Sequence, residues 1–322
     1  MNERTLQVFR FRAMNTNIEA ILQCANEQVK QMGASLVNGF EYAERRFSRF
    51  LPDSELQYVN SRAGEICMIS QDMLDVLQLA DSCSKRTNGI FSLHVLRALQ
   101  QIGYQDSFEK IKDSTVIMKE DTQQEMQFLR LYPEMGSMQM SKSSQLDLGG
   151  IVKSWTVMQM AEMLSRSAPS GFINAGGDSQ MWGSDSQEPW RFGIEHPWKP
   201  EQEIGQVELN NGGIATSSKL GRKWDTHQGT MHHLIDPRTM LPSGSSVVQC
   251  TVIGADVTQC EVWAKVLCIA GLQEGLALLK QQAPEYEAFI FTEEQKIYFY
   301  GSAASWNKHA KHIPLDEWIE AP

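Results

Sequence analysis

Basic residues are in the minority. Lys and Arg number 29 against 39 Asp and Glu, giving a formal net charge of -10 and a pI near 5.3. Such a balance argues against nucleic-acid binding, which usually shows a basic face, although a local cationic site for a small anion is compatible with an acidic whole. Cysteine is scarce and unpatterned. Cys24, Cys67, Cys83, Cys250, Cys260 and Cys268 show no CxxC spacing and no Cys/His cluster of the zinc-binding kind. Cys260 and Cys268 fall in an apolar helical stretch, as buried thiols do. The first twenty residues carry Glu3, Arg4, Arg10 and Arg12 and no long apolar run. Neither a signal peptide nor a membrane anchor is therefore expected, and free cysteines point to the cytoplasm. No GxGxxG follows a strand, which argues against a dinucleotide-fold redox enzyme. No repeat, low-complexity tract or Pro/Ser-rich linker divides the chain.

What is present is ordinary globular material. The 322 residues are 42% hydrophobic, enough for one large domain or two ordinary ones. Residues 6–24 alternate and read as strands with a turn at Asn15. Residues 27–47 read as a helix with Met32, Leu36, Phe40, Ala43 and Phe47 on its apolar face. A second helix over 71–86 rests on Met73, Leu74, Leu77, Ala80 and Asp81, and Gly89 is its expected C-terminal cap. Residues 108–142 suggest strands and turns, with Val116-Ile117-Met118 and Met138-Gln139-Met140 as short pieces. A helix is expected over 152–166, then strands at 171–174, 190–195, 205–209 and 247–255. Helices over 257–270 and 272–282 and a hairpin of 288–292 with 296–300 complete the pattern. Strands and helices interleave without a steady βαβ rhythm, which favours α+β.

The run Asp147-Leu148-Gly149-Gly150-Ile151-Val152-Lys153 stands out. Adjacent glycines let backbone approach a ligand, and a helix start offers unpaired N–H groups that suit a phosphate. The plainer reading is a strand-to-helix turn with a glycine bend. Four further segments accompany it. They are Arg46-Phe47-Ser48-Arg49-Phe50 with Ser54-Glu55-Leu56 and Asn60, then Asn174-Ala175-Gly176-Gly177-Asp178, then His232-His233-Leu234-Ile235-Asp236-Pro237-Arg238-Thr239, and last the helix with Glu261, Ala264 and Lys265.

In that order and spacing, from about Ala13-Met14 to Gly271, the set resembles the ApbE family of FAD:protein FMN transferases. Trp190 to Pro197 and Ile214-Ala215-Thr216-Ser217 add to it. The resemblance implies an α+β fold related to the tunnelling fold. It also implies a mixed, largely antiparallel sheet flanked by helices, with FAD in a deep cleft of one domain that has room for two lobes. It implies FMN transfer from FAD to a Thr or Ser hydroxyl of an acceptor protein, release of AMP, and a divalent metal, usually magnesium. Asp147 and Lys153 match FAD-contacting positions, Met14 one that lies against FAD, and Phe50 one where many members have Tyr. Ile90, Phe91 and Ile235 match the flavin pocket. Gly150 and Glu261 match metal-binding positions, and His233 is a candidate base or phosphate contact. Met14, Phe50, Phe91 and Ile235 also suit an ordinary core.

Three departures bear on activity. Glu261 and Lys265 stand where the family has Asp and Thr on one helix face. A charged lysine has no lone pair with which to bind a hard cation. Glu at i and Lys at i+4 also favour an ion pair, which could be a surface bridge of little consequence. Alternatively Lys265 replaces the metal and contacts the pyrophosphate. Ser92 and Leu93 replace the usual Asp-Pro after Phe91, and Ser154 replaces the Gly after Lys153. The alternatives to a transferase are a catalytically degenerate FAD-binding protein, serving storage, delivery or regulation, and a pyrophosphatase that splits FAD to FMN and AMP.

Overall fold

The computed structural model describes residues 4–106, 127–183, 188–227 and 229–321. The Val116-Ile117-Met118 piece lies outside the described residues. The chain divides into two compact units. The larger comprises Met1–Glu41, Lys153–Leu220 and Ser245–Pro322, and the smaller Tyr42–Val152 and Gly221–Gly244.

The larger unit contains a three-stranded sheet (Trp190–Glu195, Glu203–Leu209 and Ala310–Lys311) and a nine-stranded one. The strands of the latter are β1 (Arg4–Ala13), β2 (Thr16–Ala25), β3 (Gly171–Ala175), β4 (Asp178–Trp182), β5 (Gly212–Ser218), β6 (Val247–Gly254), β7 (Glu287–Thr292), β8 (Ile297–Gly301) and β9 (Glu317–Glu320). They lie side by side in chain order. Every pairing is antiparallel except the last, β8 with β9. This is the mixed, largely antiparallel sheet that the resemblance implies.

The β1–β2 connection has two residues, Met14 and Asn15, both at positive φ (51° and 57°). A two-residue hairpin of this kind needs that backbone to follow the strand twist. Asn tolerates it, whereas Met is an uncommon occupant. On one face of β1, Phe9 and Phe11 meet the helix Val29–Phe47. Phe11 packs edge-on against Phe40, and a side chain in place of Gly33 would press on the Phe9 ring. Met32, Leu36, Phe40, Ala43 and Phe47 are all buried, as their spacing predicts.

Helix Val257–Gln282 lies against β5 and β6. Asp256 caps its start by accepting from the backbone N–H of Thr258 at 2.6 Å and of Gln259 at 3.4 Å. At Gly271 the backbone leaves the helical region (φ 81°, ψ -178°), so this span is the two expected helices, meeting at that residue. Taken as one span, Val257–Gln282 is long and apolar enough to cross a membrane by length and composition, yet 67% of its most apolar stretch is buried in the protein. Its apolarity is that of a core helix. All six cysteines are buried free thiols.

Two short helices (Glu55–Ser61 and Leu96–Gln101), the longer helix Gln71–Arg86, a three-stranded sheet and two small hairpins lie in the smaller unit. Helix Gln71–Arg86 has the expected bounds, and only the cap position differs from the expected Gly89. Thr87 is the cap residue, Asn88 already has φ 50°, and Gly89 follows at φ 79° with its N–H on the Ser84 carbonyl. A core of Ala98, Leu99, Ile102, Tyr104, Trp224, Met231 and Ile235 joins the unit's two chain segments.

Candidate functional site

The run that stands out in the sequence has irregular chain ahead of it rather than a strand, and turns at Gly149–Ile151 into the helix Val152–Ser165. Lys153 and Ser154 thus lie in the first helical turn. Each reaches a different carboxylate of the larger unit. The Lys153 ammonium donates to the Ala175 carbonyl at 2.9 Å and forms an ion pair with Asp178. Asp178 opens β4 immediately after Gly176 and Gly177, whose positive φ values of 60° and 99° make the tight turn. A side chain at Gly176 would collide with the Thr16 hydroxyl. The Met14–Asn15 turn therefore lies at the same end of the sheet as the turn that receives Lys153.

One helical residue further on, the Ser154 hydroxyl donates to Glu261 Oε2, while Lys265 Nζ donates to Glu261 Oε1 at 2.6 Å. The pair is not a surface bridge. The Glu261 side chain is 4% exposed and that of Lys265 13%, while Asp178 and Lys153 stand at 2% and 15%. Four buried charges, two of each sign, thus share one cluster. Such pairs add little net stability, but removing one partner strands the other in a medium that solvates it poorly.

Burial, and next the neighbouring Glu261 charge, push Asp178 up to about 6 against the pull of Lys153 and Lys265. Burial also acts upward on Glu261, but Lys265, Lys153 and the Ser154 hydroxyl outweigh it and hold that carboxyl below the ordinary glutamate range. The Ser154 departure thus gains a reason: its hydroxyl is the second partner of Glu261.

Magnesium does not fit this donor set. A hard cation wants several oxygen ligands. One oxygen of Glu261 holds an ammonium and the other a hydroxyl donor. A divalent ion about 4 Å from that ammonium would be repelled by about 8 kcal/mol at an effective dielectric of about 20. Among the described residues, no group of three or more His, Cys, Asp and Glu side chains is placed to hold a metal. The expected role of Glu261 as a magnesium ligand does not fit this geometry.

The smaller unit gathers a different set. Arg49 lies 4.5 Å from the ring centre of Phe50 and 4.4 Å from that of Tyr104. It also donates to the Tyr104 carbonyl at 3.0 Å and reaches Asp147 Oδ1 at 3.4 Å. Tyr104 in turn stacks at a tilt on Trp224, whose indole N–H donates to the Ile102 carbonyl at 2.7 Å. Phe50 and Ile235 share this core. The loop before Asp147 is fixed from the side. Asn60 donates to the Leu146 carbonyl at 2.9 Å and accepts its N–H at 2.8 Å, and the Asp147 N–H donates to the Leu93 carbonyl at 2.9 Å. Leu93 follows closely on Ile90 and Phe91, both buried. His233 is half-buried in the short loop between the strands Gly229–His232 and Ile235–Asp236.

The structure thus brings Lys153, Glu261 and Lys265 into one cluster, and Asp147, Phe50 and Ile235 into the surroundings of Arg49. His233 lies in the loop before Ile235, and Gly150 in the turn ahead of Val152. The sequence reading leaves Asp178, Arg49 and Asn60 in notable segments without a role, and overlooks Tyr104 and Trp224. An acid just after two glycines and an arginine flanked by aromatics were the available signals for the first two. No local pattern announces Trp224.

Comparison with solved structures supports the fold. The chain superposes on an ApbE protein from Thermotoga maritima with TM-score 0.78 at 20% identity, over 91% of this chain and 96% of that one. It does so on the flavin transferase ApbE from Vibrio cholerae with TM-score 0.76 at 18% identity, over 95% and 99%. Among curated proteins, an FAD:protein FMN transferase from Klebsiella pneumoniae is 24% identical over 251 residues, 76% of this chain and 77% of that protein. The sequence model of the ApbE family matches residues 14–290, a span that begins at the Met14 turn and takes in both clusters. With most of its length inside that match, the chain belongs to the ApbE family.

Proposed function

We propose that this protein moves FMN from FAD to a Ser or Thr hydroxyl of an acceptor protein and releases AMP. The observation that carries this is the family match over residues 14–290, together with the activity that the Klebsiella relative is named for. In the reaction the acceptor oxygen bonds to the FMN phosphorus and the bond from that phosphorus to AMP breaks. The hydroxyl proton passes to a base, the role given to His233, and AMP leaves. Little covalent chemistry falls to the protein, so its work is to position the groups and to offset phosphate charge.

On this reading Lys153 and Lys265 supply that charge. Asp147, Met14, Phe50, Ile90, Phe91 and Ile235 keep the flavin contacts that the resemblance implies. Arg49 and Asn60 act through others, Arg49 by bracing Phe50 and Asp147, and Asn60 by fixing Leu146. Six buried free thiols suit a reducing, cytoplasmic setting.

One observation favours a second reading. A carboxylate already closed by Lys265 and Ser154 suits a protein that binds FAD without cleaving it. Incubation with FAD and a Ser/Thr acceptor peptide, with and without magnesium, separates the cases by mass. FMN on the peptide together with AMP is expected. AMP without labelled peptide means FAD hydrolysis, and bound FAD with neither product means a binding protein.

A further inference from the structure

We infer that the Lys265 ammonium, and not a divalent cation, is the fixed positive charge held on Glu261, and that it faces the phosphate groups of the bound nucleotide. Three observations carry this. First, both oxygens of Glu261 are engaged, one by Lys265 at 2.6 Å and the other by Ser154. Second, an ammonium has three donors, and among the described residues Lys265 uses one, on Glu261. Two N–H groups remain on a side chain that is still 13% exposed. Third, Lys153 enters the same cluster through Asp178, and its charge also acts on Glu261. Two anchored ammonium groups therefore share one largely dry place, where an anionic oxygen gains most from them. Carboxylates beneath them hold both lysines in position.

The phosphate half of this inference rests on the FAD reading, whereas the exclusion of metal does not. The tests keep the two apart. Electron paramagnetic resonance of Mn2+ titrated into the protein, with and without FAD, reports bound metal without any turnover. No uptake in the millimolar range or tighter is expected. Uptake of one equivalent that Glu261→Gln abolishes would overturn the inference, whereas uptake that survives Glu261→Gln places the ion elsewhere and leaves it standing. Calorimetry with inorganic pyrophosphate tests the other half without flavin or acceptor. Lys265→Met is expected to weaken binding about tenfold or more, and Lys265→Arg, which keeps the charge, to recover most of it. Circular dichroism checks that each variant is folded. If Lys265→Met is not, the Arg variant decides, and a loss as large as about tenfold with charge retained counts against the inference. Unchanged pyrophosphate affinity in folded Lys265→Met overturns it even if FMN transfer is observed.

Discussion

The cluster singled out in each unit holds its buried cations in a different way. In the larger, Lys153 and Lys265 each sit on a carboxylate, and the four charges neutralise one another. In the smaller, Arg49 lies against two aromatic rings, with Asp147 at 3.4 Å. The guanidinium is flat and weakly hydrated, so ring faces can replace water around it. An ammonium is compact and strongly hydrated. A carboxylate replaces that water at Lys153 and Lys265, whereas buried Lys219 rests on the Ser245 carbonyl and hydroxyl and its pKa is pushed down by burial. The choice of lysine in one place and arginine in the other follows from what surrounds each.

That contrast can be broken most forcefully at Glu261. Glu261→Ala strands Lys265 and is expected to cost about 3–5 kcal/mol in urea unfolding, the usual penalty for half of a buried pair. The double change Glu261→Gln with Lys265→Met should recover a large part of it. A loss below about 1 kcal/mol in the single variant would mean that the pair behaves as an exposed one.

The next effect is a dependence on pH. Asp178 is raised from 3.8 to about 6 in the folded protein. A raised carboxyl binds its proton more tightly in the folded than in the unfolded chain. Its contribution to stability therefore grows as pH falls from 7 toward 4, by at most about 3 kcal/mol. Glu261, held low, acts in the other direction and loses its contribution as pH falls. Urea midpoints between pH 7 and 4 for the wild type and Asp178→Asn isolate the first term. Parallel curves would refute it.

In the smaller unit, Arg49→Ala should cost about 2 kcal/mol through lost ring and carboxylate contacts. Arg49→Lys should restore little of this, because lysine does not stack as a plane. Equal stability of Arg49→Lys and wild type would remove the contrast drawn above. The smallest effect belongs to the hairpin turn. Asn15→Ala at φ 57° should cost about 1 kcal/mol, read as a shift in thermal midpoint, whereas Asn15→Gly should be neutral or mildly stabilising.

Much of the larger unit was legible because its elements are long and periodic. The strands about Asn15, the apolar stripe from Met32 to Phe47, the β-branched run at Val247 and the break near Gly271 all carry their own local signal. The strand Gly212–Ser218 does not, since glycines and serines fill a position that only neighbouring strands make extended. The hairpin of Lys223–Thr226 with Gly229–His232 is polar for the same reason of context. Helices Glu55–Ser61 and Leu96–Gln101 are too short to show a period. For the site, Lys153, Glu261 and Lys265 could be named from motif spacing, and the i,i+4 pair was readable from two letters. That the pair lies in the interior was not. Burial arises from elements far away in sequence, and so does the meeting of Tyr104 with Trp224.

The side-by-side order of the nine strands has a consequence for synthesis. Neighbouring strands follow one another along the chain, but not at an even pace. The hairpin β1–β2 is complete once Ala25 has emerged, whereas β3 begins only at Gly171. In the interval the inner edge of β2 presents open backbone donors and acceptors, the kind of edge that recruits other chains. The β2–β3 ladder cannot close until the first stretch of the smaller unit and the helix carrying Lys153 have been made. The second stretch imposes a shorter wait between β5 and β6. Nascent chains of this protein therefore pass through a long stage with an unprotected strand edge, and chaperone attention is most needed there.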